Sequence, residues 1–326
     1  MSEQNYGKYV EKSSNKFYYS PVFFIIIGLT VFIALAFFGD FSSVLSMFAS
    51  FQWQLIPLLL LLTLLNYALR FVKWQIYLKT TDINIRFTDS LAIFLSGLSM
   101  AITPAKIGEL FKAYLLKKYH NVDLSRTIPV VFAEKFTDGI GMLLLAAVSF
   151  SSMQYGGWAL VLLAVLCGVL LITIRWRGFY TKLITWAARL PFVGKYSNNI
   201  LTAYESTYNL FQIKISILTI IISMISWGFE CLATYFILTG FGLVKPVAFA
   251  TFIFSFSSMI GAISMVPGGL GIAEGSITGL LMLNGVDKSL AASATILIRF
   301  VTLWFGVFIG YISLVTLQAG LNKNEA

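Results

Sequence analysis

Charge is scarce in this chain. Asp, Glu, Lys and Arg make up 11% of the 326 residues, 58% are hydrophobic and the mean hydropathy is +0.84. Soluble domains carry about 25% charged residues, so a water-soluble globule is excluded. Cysteine is nearly absent: Cys167 and Cys231 both lie inside apolar runs, which leaves neither a disulfide framework nor a thiolate metal site. His120 is the single histidine and has no Cys or carboxylate cluster at ligand spacing, so it reads as an interfacial loop residue. The same shortage argues against a membrane-embedded, metal-dependent lipid-phosphate enzyme. No polar stretch approaches the roughly 50 residues of an independent domain. The expectation is one transmembrane domain over 1–326, not an enzyme, with no cofactor.

What the sequence has in abundance is apolar runs of spanning length, for which about 20 residues are needed. Uninterrupted candidates are Pro21 to Phe38, Trp53 to Val72, Ile128 to Val148, Gly157 to Ile174, Ser216 to Leu238 and Leu290 to Leu317. The first contains Ala34-Leu35-Ala36, but the apolar run continues through Phe37-Phe38, so it reads as a retained anchor and not a signal peptide. Two further segments, Thr88 to Tyr119 and Val247 to Leu283, are each broken by proline among small residues, at Pro104 and at Pro267-Gly268-Gly269-Leu270-Gly271. Proline removes a backbone donor and disfavours helix in the residue before it. In hydrocarbon the freed groups must face protein or a water-filled cavity.

The fold class expected is therefore an all-α polytopic membrane protein with six spanning helices and two proline-broken re-entrant hairpins. With the N-terminus in the cytoplasm, Lys106, Lys135 and Arg299 lie within the membrane and Lys245 and Lys288 outside, leaving all the other Lys and Arg at cytoplasmic faces. That places both termini in the cytoplasm of a cell-membrane protein. The +9 net charge then follows from topology and anionic headgroups, and nucleic acid is not expected as a partner. Phe41, Val44, Leu45 and Phe48 fall at helical spacing, and 175–214 reads as a cytoplasmic amphipathic linker.

The linker divides two similar halves, repeat one over 53–150 and repeat two over 216–317. Pro104 and Pro267 are 163 residues apart, each followed four residues later by glycine, Gly108 and Gly271. Val122-Asp123-Leu124-Ser125 matches Val286-Asp287-Lys288-Ser289. Trp53 to Val72 runs inward and its counterpart from Ser216 outward, so the repeat has inverted topology, the architecture of secondary transporters whose site lies where broken helices meet.

Ionisable groups inside spans are costly and point to function. Here they are Lys106, Glu109, Glu134, Lys135, Asp138, Glu230, Glu274 and Arg299. Helices starting after Pro104 and Gly271 would aim free N–H groups at the hairpin tips, where an anion is stabilised. The glycine run suits either a phosphate nest or tight helix packing. Glu134 and Asp138 share a helical face, and Arg299 occupies the position equivalent to Glu134, which invites an interior ion pair between Glu134 and Arg299. For each residue the competing role is structural, locking helices together or complementing a helix terminus.

The segments 103–109, 133–139 and 266–274, above all Pro267-Gly268-Gly269-Leu270-Gly271 ending in Glu274, resemble the flippase-like family of lysylphosphatidylglycerol synthase transmembrane regions. The resemblance runs from about Trp53 to Leu317. It implies a lipid translocase moving a phosphate-bearing phospholipid, an aminoacyl-lipid or a polyprenyl-linked glycolipid by alternating access. Lys106, Arg299 and the hairpin N–H groups would hold the phosphate; Glu109, Glu134, Asp138 and Glu274 would balance charge, engage the headgroup or take up a proton. Lys135 stands where the family leads one to expect arginine, keeping the charge but not the bidentate geometry. The soluble aminoacyl-transfer domain of the bifunctional enzymes is not in this sequence, so synthase activity is not implied. The expected partner is a membrane lipid with an anionic or phosphate-bearing headgroup; H+ or Na+ coupling and a homo-oligomer are compatible with it. An ion-coupled carrier of a small soluble solute is the alternative.

Overall fold

The computed structural model describes residues 26–103, 110–149 and 197–322, together with Val165 and Gly168. All regular structure among the described residues is helical. Helix α1 (Ile26–Phe38) turns by 96° into α2 (Phe41–Ser50). Asp40 makes the corner with φ 62° and accepts a hydrogen bond from the Ser43 amide at 3.1 Å, capping α2. Then come α3 (Ile56–Thr80), α4 (Phe87–Leu98), α5 (Phe111–His120) and α6 (Leu124–Ser149). The second part has α7 (Ser197–Leu210), α8 (Ile213–Gly240), α9 (Val247–Ile263), α10 (Ile272–Leu283) and α11 (Lys288–Arg299), which continues through a π turn into α12 (Phe305–Asn322).

Among the described residues three stretches are long and apolar enough to cross a bilayer, Trp53–Thr80, Ile213–Gly240 and Lys288–Leu317, with the bent pair α1 and α2 a fourth if it counts as one. A 28-residue helix is about 42 Å long, more than the roughly 30 Å of hydrocarbon. The expected span at Ile128 to Val148 lies within α6, which has the length, but Glu134, Lys135 and Asp138 in its middle set it apart from the apolar three. The expected span at Gly157 to Ile174 and the first part of the amphipathic linker lie outside the described residues. Each proline-broken segment is two helices flanking a break, α4 with α5 and α9 with α10, and the arms of each pair pack together.

The two parts share local geometry. Helix α3 ends in a left-handed residue, Asp82, with the Ile83 amide bonded to the Leu78 carbonyl; α8 ends the same way at Gly242, with Leu243 bonded to Leu238, both at 2.9 Å. Asn121 and Gly285 are left-handed ahead of the Val-Asp-x-Ser pair, and Asp287 caps α11 through the amides of Ser289 and Leu290. Packing between the parts is crosswise: α3 lies along α8, α4 along α12, and α9 along α6. A Cβ on Gly310 of α12 would lie 2.2 Å from the Ser99 amide, so this approach to the end of α4 requires glycine.

Two apolar cores result. One joins the N-terminal part of α3 to α8, α9, α10 and α11. The other joins the C-terminal part of α3 to α4, α5 and the start of α6, and Leu210 and Phe211 at the end of the linker are buried in it. The linker thus contributes to the core as well as to a surface.

Candidate functional site

Along α3, Asn66, Tyr67, Arg70, Lys73 and Tyr77 lie three, four, seven, ten and fourteen residues after Thr63, which places them on one face, and all six are buried. Asn66 donates to the Ser226 carbonyl of α8 at 2.8 Å. Glu134 and Asp138, one turn apart on α6, meet the inner part of this stripe. Lys73 pairs directly with Asp138 and also donates to Ser223 Oγ at 2.7 Å and to the Glu134 carbonyl at 3.2 Å. Lys112 enters from α5 and pairs directly with Glu134. Its stem passes Gly97 of α4, where a Cβ would lie 2.5 Å from Lys112 Cγ, so glycine there opens the path. Arg70 sits between the carboxylates, 3.6 Å from Glu134 Oε1 and 3.7 Å from Asp138 Oδ2, close enough for attraction and too far for hydrogen bonds.

Three cations face two carboxylates here, an excess of positive charge in a site from which water is largely excluded. Arg70, Lys73 and Lys112 correct the sequence reading, which left them among the cations of the cytoplasmic faces; they are 7%, 0% and 4% exposed. The signal that could have found two of them is the polar stripe along α3, whose period continues past the apolar run.

A second cluster stands at the other break. Arg299 Nε donates to Glu274 Oε1 at 2.6 Å, and Arg299 Nη2 to the Gly268 carbonyl at 2.6 Å. The Gly271 amide donates to Glu274 Oε2 at 2.7 Å. The expected pairing of Glu134 with Arg299 is therefore not formed: each finds a nearer partner delivered by its own part of the chain. The N-terminus of α10, expected to offer free N–H groups to an anion, already holds the Glu274 carboxylate. Gly268, Gly269 and Gly271 have φ of 59°, 67° and 81°, and a Cβ on Gly269 would lie 3.1 Å from Gly261 Cα, so the run serves both the turn and close packing.

Between the clusters lies a cavity of about 180 Å³, whose walls include Tyr67, Arg70, Lys112, Lys135, Asp138, Trp227, Gly268, Gly269 and Arg299. Of the residues singled out in sequence, Lys135, Asp138, Gly268, Gly269 and Arg299 line it. Glu134 and Glu274 stand behind the cations they neutralise. Pro267 and Gly271 shape the turn, and Pro104, Lys106, Gly108 and Glu109 lie outside the described residues. Glu230 is buried on α8, accepting a weak hydrogen bond from Thr63 at 3.4 Å. Among the described residues no three of His, Cys, Asp or Glu converge as metal ligands. Chemically, the arrangement presents fixed cations and neutral donors to whatever enters.

Residues 25–310 match the family described as the lysylphosphatidylglycerol synthase TM region, and the chain belongs to that family. It is similar to a UPF0104 membrane protein of Methanothermobacter thermautotrophicus, 25% identical over 89% of this chain and 91% of that one. It is also similar to UPF0104 membrane proteins of Methanocaldococcus jannaschii, at 28% identity over 68% and 95%, and of Pyrococcus horikoshii, at 25% over 88% and 94%. These likenesses place the chain among membrane proteins with a lipid-related family description.

Proposed function

We propose that this family member is a lipid translocase that moves a lipid with a phosphate-bearing headgroup across the bilayer without chemically changing it. The observation that carries the reading is the cavity lined by Arg70, Lys112, Lys135 and Arg299, with Gly268 and Gly269 of the second break in its wall. Ionisable groups are expensive at membrane depth and are kept where a substrate passes. Cations held by carboxylates behind them would receive a phosphate while the acyl tails stay in the bilayer.

In this reading the chain has six spans and two re-entrant hairpins in an inverted repeat, sits in the cell membrane with both termini cytoplasmic, and alternates access by rocking one half against the other. Crosswise packing supports this, because each closing helix covers the broken segment of the other half. Proton or sodium coupling and self-association belong to the same proposal. The test is purified protein in liposomes, scoring exposure of labelled lipids at the two leaflets. Lys106→Ala and Arg299→Ala should slow exchange at least tenfold; unchanged rates would remove this site. Uptake of a soluble solute with no lipid exchange would favour the ion-coupled carrier instead.

A further inference from the structure

The sign of the cavity wall bears on which headgroup fits. Arg70, Lys112, Lys135 and Arg299 reach the cavity, against Asp138 as the one carboxylate lining it among the described residues. Asp138 is already held by Lys73 and Ser223. The other carboxylates of the two clusters are fully buried behind their cations, Glu134 behind Lys112 and Glu274 behind Arg299.

An ammonium group would need a carboxylate or an open aromatic face. Two of the four aromatic residues at the wall, Trp227 and Phe94, already hold the chain's own cations. The Arg70 guanidinium lies 5.2 Å from the centre of the Trp227 ring, and Lys112 lies 5.2 Å from Phe94 and 4.6 Å from Trp74. Tyr67 Oη, Arg70 Nε and Trp227 Nε1 are donors buried without a hydrogen-bond partner, and all three residues line the cavity; Asp138 Oδ2, 3.7 Å from Arg70 Nε, is the one lining carboxylate oxygen in the same state. Phosphate oxygens accept from such groups, and a fixed guanidinium suits a phosphate better than any other side chain does.

We propose that the cavity selects a phosphate headgroup of net negative charge and rejects an aminoacylated one, with Arg70, Tyr67 and Trp227 forming the phosphate corner. This rests on the translocase reading and narrows it, against the aminoacyl headgroup that the family description suggests. A cationic aminoacyl group entering the same space would meet four like charges against a single lining carboxylate, Asp138, which already faces Lys73 and Arg70.

The experiment uses the full chain in proteoliposomes with matched acyl-labelled phosphatidylglycerol and lysyl-phosphatidylglycerol, and with radiolabelled glycerol phosphate as a soluble phosphate. The expected result is phosphatidylglycerol exchange at least tenfold faster than that of the lysyl form, with no uptake of glycerol phosphate. Equal rates, or a faster lysyl form, overturn the selectivity and leave the translocase standing. Exchange of neither lipid overturns both, and uptake of glycerol phosphate alone assigns the cavity to a soluble phosphate. Lys135→Glu, at a half-buried position, should lower the preference at least tenfold while the protein stays folded; an unchanged ratio overturns the assignment to the wall charges. Arg70→Gln should weaken phosphatidylglycerol binding at least tenfold in native mass spectrometry, and unaltered binding removes the phosphate corner.

Discussion

Gly268 and Ile102 meet at the tips of the two breaks: a Cβ on Gly268 would lie 3.4 Å from the Ile102 Cα, and Ile102 is fully buried. One part of the chain thus closes against the other through bare backbone. Gly268 also has φ 59°. Gly268→Ala is expected to cost about 1–2 kcal/mol from the left-handed backbone alone and to lower the melting temperature in detergent. A melting temperature equal to the parent's would show that position 268 is not held in that left-handed conformation.

Glu274 serves two partners, the Arg299 guanidinium and the Gly271 amide. Glu274→Ala should destabilise the protein by roughly 3–5 kcal/mol, the usual effect of leaving a buried charge without its partner. Chemical denaturation in mixed micelles reads the difference. A loss below about 1 kcal/mol would mean that Arg299 finds another acceptor, contrary to the geometry here.

Lys112 and Glu134 pair directly although they belong to different helices. A double-mutant cycle with Lys112→Met and Glu134→Gln should return a coupling of about 1–3 kcal/mol. The same cycle between Glu134 and Arg299 should return a value near zero, since each has its own partner. The reverse ranking would restore the pairing that equivalent positions in the two halves suggested.

Asp287 is held below its ordinary value of 3.8, chiefly by the Ser289 and Leu290 amides that it caps. A lowered carboxyl contributes its stability above the unfolded value and loses it as the pH falls through the folded one. Asp287→Asn keeps the cap and removes the titration. Its melting temperature should match the parent's at neutral pH and fall less than the parent's below about pH 4. Parallel curves over that range would show that the cap does not titrate with folding.

Membrane sidedness gives a further prediction. Reporter fusions after His120 and after Asn284, at the ends of α5 and α10, should report opposite sides of the membrane if the halves are inverted. The same side for both would end the inverted-repeat proposal.

Sequence by itself determined the membrane class, because apolar runs of 20 residues and 11% charge admit no other solvent for this chain. It also located the break at Pro267, since proline followed by glycines interrupts a helix whatever surrounds it. It picked out Glu134, Asp138, Glu274 and Arg299 because charge in an apolar run stands out without any neighbour. What it could not assign was partnership. Glu134 and Arg299 occupy matching places, yet Lys112, reaching past Gly97, and Arg70 with Lys73, on the buried face of α3, decide where the carboxylates pair. Arg70 and Lys73 sit at the edge of an apolar run, where sequence position alone reads as a membrane face, and Lys112 lies in the second arm of a broken segment. Only the packing of α3 against α6 and α8 turns that edge inward. Ion pairing falls off within a few ångströms, so it is settled by helix rotation and crossing, which a one-dimensional pattern does not contain.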